Sequence, residues 1–163
     1  PDIMALAKGL TGGYLPLAAT LTTGEIFDAF LDGQGNTFYY GHSYSGNPVG
    51  CAAALASLKI FEKESTLSEL PDKINHLSKG LEKLKRENTK VIDIRQCGLI
   101  SGIELLGDDE IIGPQVCNAA RDHGLLTRAI GNTVVFMPPL VIKNNQISDS
   151  ISALQKAIGK VLG

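Results

Sequence analysis

Leu67, Leu70, Ile74, Leu77, Leu81 and Leu84 recur at alternating steps of three and four. That spacing lays one apolar stripe along a long helix. Such a stripe must be covered by a second layer, so the chain cannot fold as isolated helices. Thr66-Leu-Ser-Glu69 resembles a capping box at the helix start. Pro71 is tolerated only in a first turn, which moves the expected start towards Ser68.

The covering layer follows in the sequence. Residues 91–96 and 99–105 read as strands hinged at Gly98. Residues 125–130 and 133–137 read as a β-hairpin around Gly131-Asn132. Residues 107–110 read as an acidic turn. Residues 112–123 form a helix that Gly124 ends. A last helix covers 146–162, with Ile147, Ile151, Leu154, Ile158 and Val161 inward. Ahead of the leucine stripe, residues 3–7 read as a buried strand and 17–22 as a second strand. Residues 24–31 suit a short helix with Ile26, Phe27 and Phe30 inward, and 32–36 a loop. Asn47 is an N-cap and Pro48 a first helical residue, opening a helix to about Glu64. Cys51, Leu55, Leu58 and Phe61 share one of its faces, and residues 52–54, all alanine, allow close packing. Strands alternate with helices throughout, so the fold class is α/β or α+β.

The net charge is −2, which argues against a nucleic-acid or anionic-membrane surface. No apolar run reaches the ~18 residues of a membrane span. Cys51, Cys97 and Cys117 are odd in number with no CxxC pair, which points to a reducing cytoplasm. His42, His76 and His123 show no ligand spacing, so no metal site is expected. Glycine is more telling. Nine of the 18 glycines fall in residues 1–50. Glycine marks backbone that turns tightly or approaches something closely, so a site is expected there.

Three places carry candidate chemistry. Lys8 ends an apolar strand and precedes Gly9, Gly12 and Gly13. A low-dielectric wall there would disfavour the charged amine, as suits a Schiff-base lysine. A lysine pointing into water is the plainer alternative. Gly41-His42-Ser43 leads into a helix N-terminus, where a hydroxyl and free N–H groups suit a phosphate. A loop with an ordinary N-cap explains the same residues. Arg128 lies in an apolar strand before a tight turn. It suits a carboxylate, or simply an edge strand whose apolar surface its stem covers. No GxSxG, P-loop or dinucleotide fingerprint occurs. Asp108-Asp109-Glu110 reads as a solvated turn.

In these positions the chain resembles the class III aminotransferases, which use pyridoxal phosphate. Residues 1–17, Pro-Asp-Ile-Met-Ala-Leu-Ala-Lys-Gly-Leu-Thr-Gly-Gly-Tyr-Leu-Pro-Leu, resemble the lysine segment of that family. Tyr40-Gly-His-Ser-Tyr-Ser-Gly-Asn-Pro48 is similar to its next block. Residues 96–105 resemble small-domain strands, and 124–128 with 134–139 resemble the last block. The Gly-Leu-Thr-Gly-Gly-Tyr-Leu-Pro form looks most like the biotin-pathway branch, whose members convert 8-amino-7-oxononanoate to 7,8-diaminononanoate.

The resemblance implies roles. Lys8 would be catalytic and would hold pyridoxal phosphate as a Schiff base. His42 and Ser43 would contact the cofactor phosphate, from the neighbouring subunit of a homodimer. Gly41 would face the substrate, and Arg128 would bind its carboxylate. Ser43 stands where the family usually has threonine, and the hydroxyl survives. Ala129 replaces a usual proline. Val135 and Phe136 fill a stretch where S-adenosylmethionine users commonly carry tyrosine, so S-adenosylmethionine and lysine are both open as donors.

The implied fold is a partial type I pyridoxal-phosphate transferase. Residues 1–46 would be the edge of the large domain, 47–65 a connecting helix and 66–163 an α+β small domain. The partner of the ring nitrogen and the earlier phosphate loop lie before the lysine in this family. The chain is therefore expected to be an incomplete, C-terminal portion of such an enzyme, with apolar surface exposed around residues 3–21. A related ω-amino-acid or diamine aminotransferase and an inert truncated fragment are the alternatives.

Overall fold

The computed structural model describes residues 1–31, 33–107 and 110–163. The loop and acidic-turn readings at Asp32, Asp108 and Asp109 lie outside the described residues. The chain divides into two compact units, Pro1–Ser65 and Thr66–Gly163.

In the first unit, strands β1 (Ile3–Leu6) and β2 (Ala19–Thr22) pair antiparallel, Ile3 opposite Thr22 and Leu6 opposite Ala19. Between them the chain makes a 3-10 turn, Lys8–Thr11. The strand at residues 3–7 was expected to be buried, but Ile3 is 59% and Met4 43% exposed. Two paired strands make a ribbon with two faces, and its apolar residues stay open to solvent. Leu21 is also exposed, as expected for apolar surface at 3–21. Helix α1 (Gly24–Asp28) is shorter than its apolar spacing suggested. Phe27 and Phe30 are exposed, not inward; Phe30 instead stacks on Phe38, with ring centroids 5.6 Å apart.

Helix α2 (Pro48–Lys63) starts where the sequence places it. Asn47 Oδ1 accepts the Val49 N–H at 3.1 Å, and Pro48 needs no donor at this position. The inward face differs from the expected one. Gly50 and Ala54 are buried, whereas Leu55 and Leu58 are exposed. Small residues let α2 lie close to the Lys8–Thr11 turn, with Leu17 Cδ1 beside Gly50, 3.5 Å from where a Cβ there would stand. Replacing Asn47 with Ala should cost about 1 kcal/mol, read as a lower denaturant midpoint. An unchanged midpoint would refute the cap.

The second unit is one antiparallel sheet, ordered β3 (Val91–Cys97), β4 (Ile100–Leu105), β6 (Thr133–Phe136), β5 (Arg128–Ile130). Both hairpins turn in two residues, with Gly98 at φ 61 and Gly131 at φ 54. These left-handed values favour glycine. Helices α3 (Thr66–Glu87), α4 (Ile112–Arg121) and α5 (Asn144–Leu162) cover the sheet. Alternate residues of β4, namely Ser101, Ile103 and Leu105, are buried beneath them. Leu77, Leu81 and Leu84 of α3 meet Ile147, Leu154 and Ile158 of α5 and Val116 of α4 in one core. Burying each such side chain contributes about 1.5–3 kcal/mol before conformational entropy is charged.

Two details of α3 differ from the expected helix. It begins at Thr66 and carries Pro71 inside, beyond its first turn. Leu67, counted in the stripe, is exposed. On the outer side of the sheet, Arg95 bonds Asp93 at 2.9 Å and Glu104 at 2.5 Å. Asp93 also accepts from Lys85, whose ammonium is the main cause holding its carboxyl below the usual range. Among the described residues no helix is long and apolar enough to cross a membrane.

Candidate active site

Lys8 occupies the first position of the 3-10 turn and is exposed. The apolar wall expected beside it is not formed by β1, whose own side chains are open. Its backbone carries the local information: φ is 46, a left-handed value at a non-glycine residue. Such a conformation costs about 1–3 kcal/mol and persists only where its surroundings impose it. Here the chain leaves β1 in extended backbone at Ala7, reverses through Lys8, and turns again at Gly12 (φ 62) and Gly13 (φ 83). A Cβ placed on Gly9 or Gly13 would meet nothing within 4 Å. The amine therefore stands on a turn flanked by open space.

Gly41, His42 and Ser43 lie in the same unit, on an exposed loop that ends in the α2 cap. The loop is folded on itself. The His42 N–H donates to Ser45 Oγ at 3.1 Å, and the Ser45 N–H to the His42 carbonyl at 2.9 Å. The Tyr44 N–H donates to His42 Nδ1 at 3.2 Å. This acceptor role puts the proton of a neutral ring on Nε2, which points the donor outwards. The Ser43 side chain is exposed.

Arg128 begins β5 in the second unit, opposite Val135. Through Val135 and Gly102 it shares a sheet row with Arg95. The two arginines differ in their partners. Arg95 is held by two carboxylates, whereas no carboxylate pairs with Arg128 among the described residues. Arg128 also lines an open cleft of about 810 Å³. Leu125, Leu126, Met137, Pro139 and Val141 give that cleft an apolar wall, and Asp149 of α5 adds a carboxylate. An unpaired guanidinium on an apolar cleft suits a ligand with a carboxylate on an aliphatic body.

Comparison with known proteins gives these residues a family. The profile described as "Aminotransferase class-III" matches residues 1–158. The chain belongs to the class-III aminotransferases. It is similar to the adenosylmethionine-8-amino-7-oxononanoate aminotransferase of Geobacter sulfurreducens, at 46% identity over 100% of this chain and 38% of that protein. The crystal structure of the Methanocaldococcus jannaschii protein of the same name superposes with TM-score 0.90 at 44% identity, over 100% of this chain and 40% of that one. A pyridoxal-phosphate-bound amine transaminase from an uncultivated Pseudomonas species gives 0.91 at 35%, over 99% and 39%. The chain thus spans about two-fifths of the length of these relatives, and its fold is a partial type I transferase fold.

Membership of this class-III family, with a pyridoxal-phosphate-bound neighbour, implies pyridoxal phosphate as the working group. Two groups escaped the sequence reading. Thr11 is 2% exposed inside a run of exposed glycines, and only its hydroxyl sets it apart there. Asp149 lies on the part of α5 that lines the Arg128 cleft, where helical periodicity had marked only a polar face.

Proposed function

We propose that this chain is the lysine-bearing portion of an aminotransferase that moves an amino group onto 8-amino-7-oxononanoate to form 7,8-diaminononanoate in biotin synthesis. The observation that carries the reading is Lys8, held left-handed at the head of a glycine turn within a family match spanning residues 1–158. The relatives named for this substrate, at 46% and 43% identity, support the choice of acceptor.

The residues present fit pyridoxal phosphate. An exposed primary amine is flanked by glycines that leave room for a flat ring. Bound pyridoxal phosphate supplies the electron sink for the amino transfer. Lys8 Nζ would hold it covalently at rest and, once the donor's amine has displaced it, would be the free base that moves the proton between carbon atoms. Ser43 and His42 take its phosphate through their side chains, on the loop ahead of α2. Gly41 faces the substrate, and Arg128 grips a carboxylate with two parallel hydrogen bonds. Residues 1–46 are the edge of the cofactor domain, 47–65 a connecting helix and 66–163 the small domain. The division of the chain at Ser65–Thr66 supports the last boundary. A cytoplasmic homodimer sharing its sites, with S-adenosylmethionine or lysine as donor, completes the proposal.

The test joins this chain to the complementary portion of the Geobacter sulfurreducens relative. It then supplies 8-amino-7-oxononanoate with each donor in turn. Diaminononanoate should form, and Arg128→Ala should raise the acceptor KM about 30-fold, the loss of a charge-assisted pair. Turnover of ω-amino acids or amines but not of 8-amino-7-oxononanoate would shift the reading to an amine transaminase. The superposition on the Pseudomonas amine transaminase favours that second reading.

A further inference from the structure

Thr11 is the buried peg of the lysine turn. It is 2% exposed, while Lys8, Gly9, Gly12 and Gly13 are open. Its hydroxyl makes two bonds to one residue. It donates to the Leu15 carbonyl at 2.5 Å and accepts the Leu15 N–H at 3.3 Å. The side chain thereby closes the loop from Thr11 to Leu15, inside which the Tyr14 N–H also donates to the Thr11 carbonyl at 3.3 Å. Within that loop Gly12 and Gly13 take the left-handed values that reverse the chain. On the other side, the Leu10 N–H donates to the Ala7 carbonyl and the Gly12 N–H to the Gly9 carbonyl. The first bond spans Lys8, and the second continues the turn directly after it. The turn is pressed on α2, where Leu17 lies against Gly50.

A non-glycine residue does not hold φ 46 by itself. Something must oppose its relaxation to an ordinary turn. Hydrogen bonds partly shielded from water are stronger than at the surface, and Thr11 supplies such a part-buried pair three residues from Lys8. We propose that Thr11 is a positioning residue for Lys8: its buried hydroxyl locks the glycine loop, and the locked loop fixes where the Lys8 amine stands. This rests on the reading of Lys8 as the reactive amine.

The test uses the full 163-residue chain and three forms of it: parent, Thr11→Val and Thr11→Ser. Valine keeps the shape and removes both bonds, while serine keeps the hydroxyl. Hydrogen exchange reads the Leu15 amide. Labelling with pyridoxal phosphate and borohydride, followed by peptide mapping, reads the Lys8 amine against Lys59 on α2. In Thr11→Val the Leu15 amide should exchange about tenfold faster, and the Lys8-to-Lys59 labelling ratio should change at least about threefold. Thr11→Ser should restore both. A ratio that is unchanged in Thr11→Val, or one that serine does not restore, overturns the proposal. If Thr11→Val unfolds, the serine form decides: parental exchange and labelling support the hydroxyl, and a changed ratio refutes it. If parental Lys8 labels no faster than Lys59, the cofactor role of Lys8 fails. The change in ratio between parent and variants still judges Thr11, because it reports where the amine stands whatever its use.

Discussion

Replacing Lys8 with Ala should abolish amino transfer, by about a thousandfold or more, in the chain completed with its relative's remaining portion. The alanine leaves no amine to bond an aldehyde carbon and no base to move the proton. Lys8→Arg should fail equally, because a guanidinium keeps its charge and is no nucleophile. Lys59→Ala, on exposed α2 surface, should keep parental rates. A second readout separates chemistry from folding. Lys8 sits at φ 46, which glycine adopts without strain. Lys8→Gly should therefore lose activity as fully as Lys8→Ala, yet match or exceed parental stability by up to about 1 kcal/mol. An inactive but better folded variant marks a residue kept for its reaction. Should Lys8→Ala retain amino transfer, Lys8 is not the cofactor lysine. Should Lys8→Gly be strongly destabilised, the left-handed backbone is not a source of strain.

Much of the second unit was legible because its elements obey simple periods. The leucine stripe of α3, the paired strands and the two glycine turns each carry a local signature that agrees with the packing. The first unit was less legible. Apolar residues at helical spacing on α2 pointed to Leu55 and Leu58, but the buried positions are Gly50 and Ala54, of which only Ala54 falls in the alanine stretch expected to allow close packing. Periodicity weighs side-chain size, whereas this helix needs small residues to lie against a turn. Residues 3–7 looked like a core strand for the same reason, since a run of apolar residues says nothing about whether a covering layer is present. The left-handed Lys8 had no signature at all, because only glycine announces a positive φ. The arginines show the reverse case. Sequence left Arg128 as either a carboxylate grip or an edge-strand residue, and ion pairing bears on that choice: no carboxylate pairs with it among the described residues, whereas Arg95 in the same sheet row is taken by Asp93 and Glu104.

Gly113→Ala should be the most damaging single methyl in the second unit, at about 2 kcal/mol or more of stability. Gly113 lies buried in the first turn of α4, against the hairpin that carries Arg128. An added Cβ would run into the Gly131 carbonyl oxygen. It would also lie 2.8 Å from Ala129 Cβ and 3.2 Å from Asn132 Cα. Two of these neighbours are backbone atoms, which cannot rotate away. The contact is also tied by hydrogen bonds. The Gly113 N–H donates to Asn132 Oδ1 at 3.3 Å, and Asn132 Nδ2 donates to the Gly107 carbonyl at 2.9 Å. The Leu105 N–H donates to the Asn132 carbonyl at 3.0 Å. Moving α4 away would stretch the first of these bonds, while the other two hold Asn132 in place. Alanine favours a helix by about 1 kcal/mol over glycine, so the observed loss is what remains after that gain. Gly80→Ala is the control. Its Cβ would meet only Ile151 side-chain atoms, whose flexible end can shift, so it should be neutral or mildly stabilising. Denaturant midpoints of the two variants should move apart, and a Gly113→Ala midpoint equal to that of Gly80→Ala would refute the contact. The same methyl should reach the chemistry, because β5 starts at Arg128 and pairs residue for residue with β6. A displaced hairpin moves the guanidinium, so Gly113→Ala should also raise the acceptor KM, whereas Gly80→Ala should not.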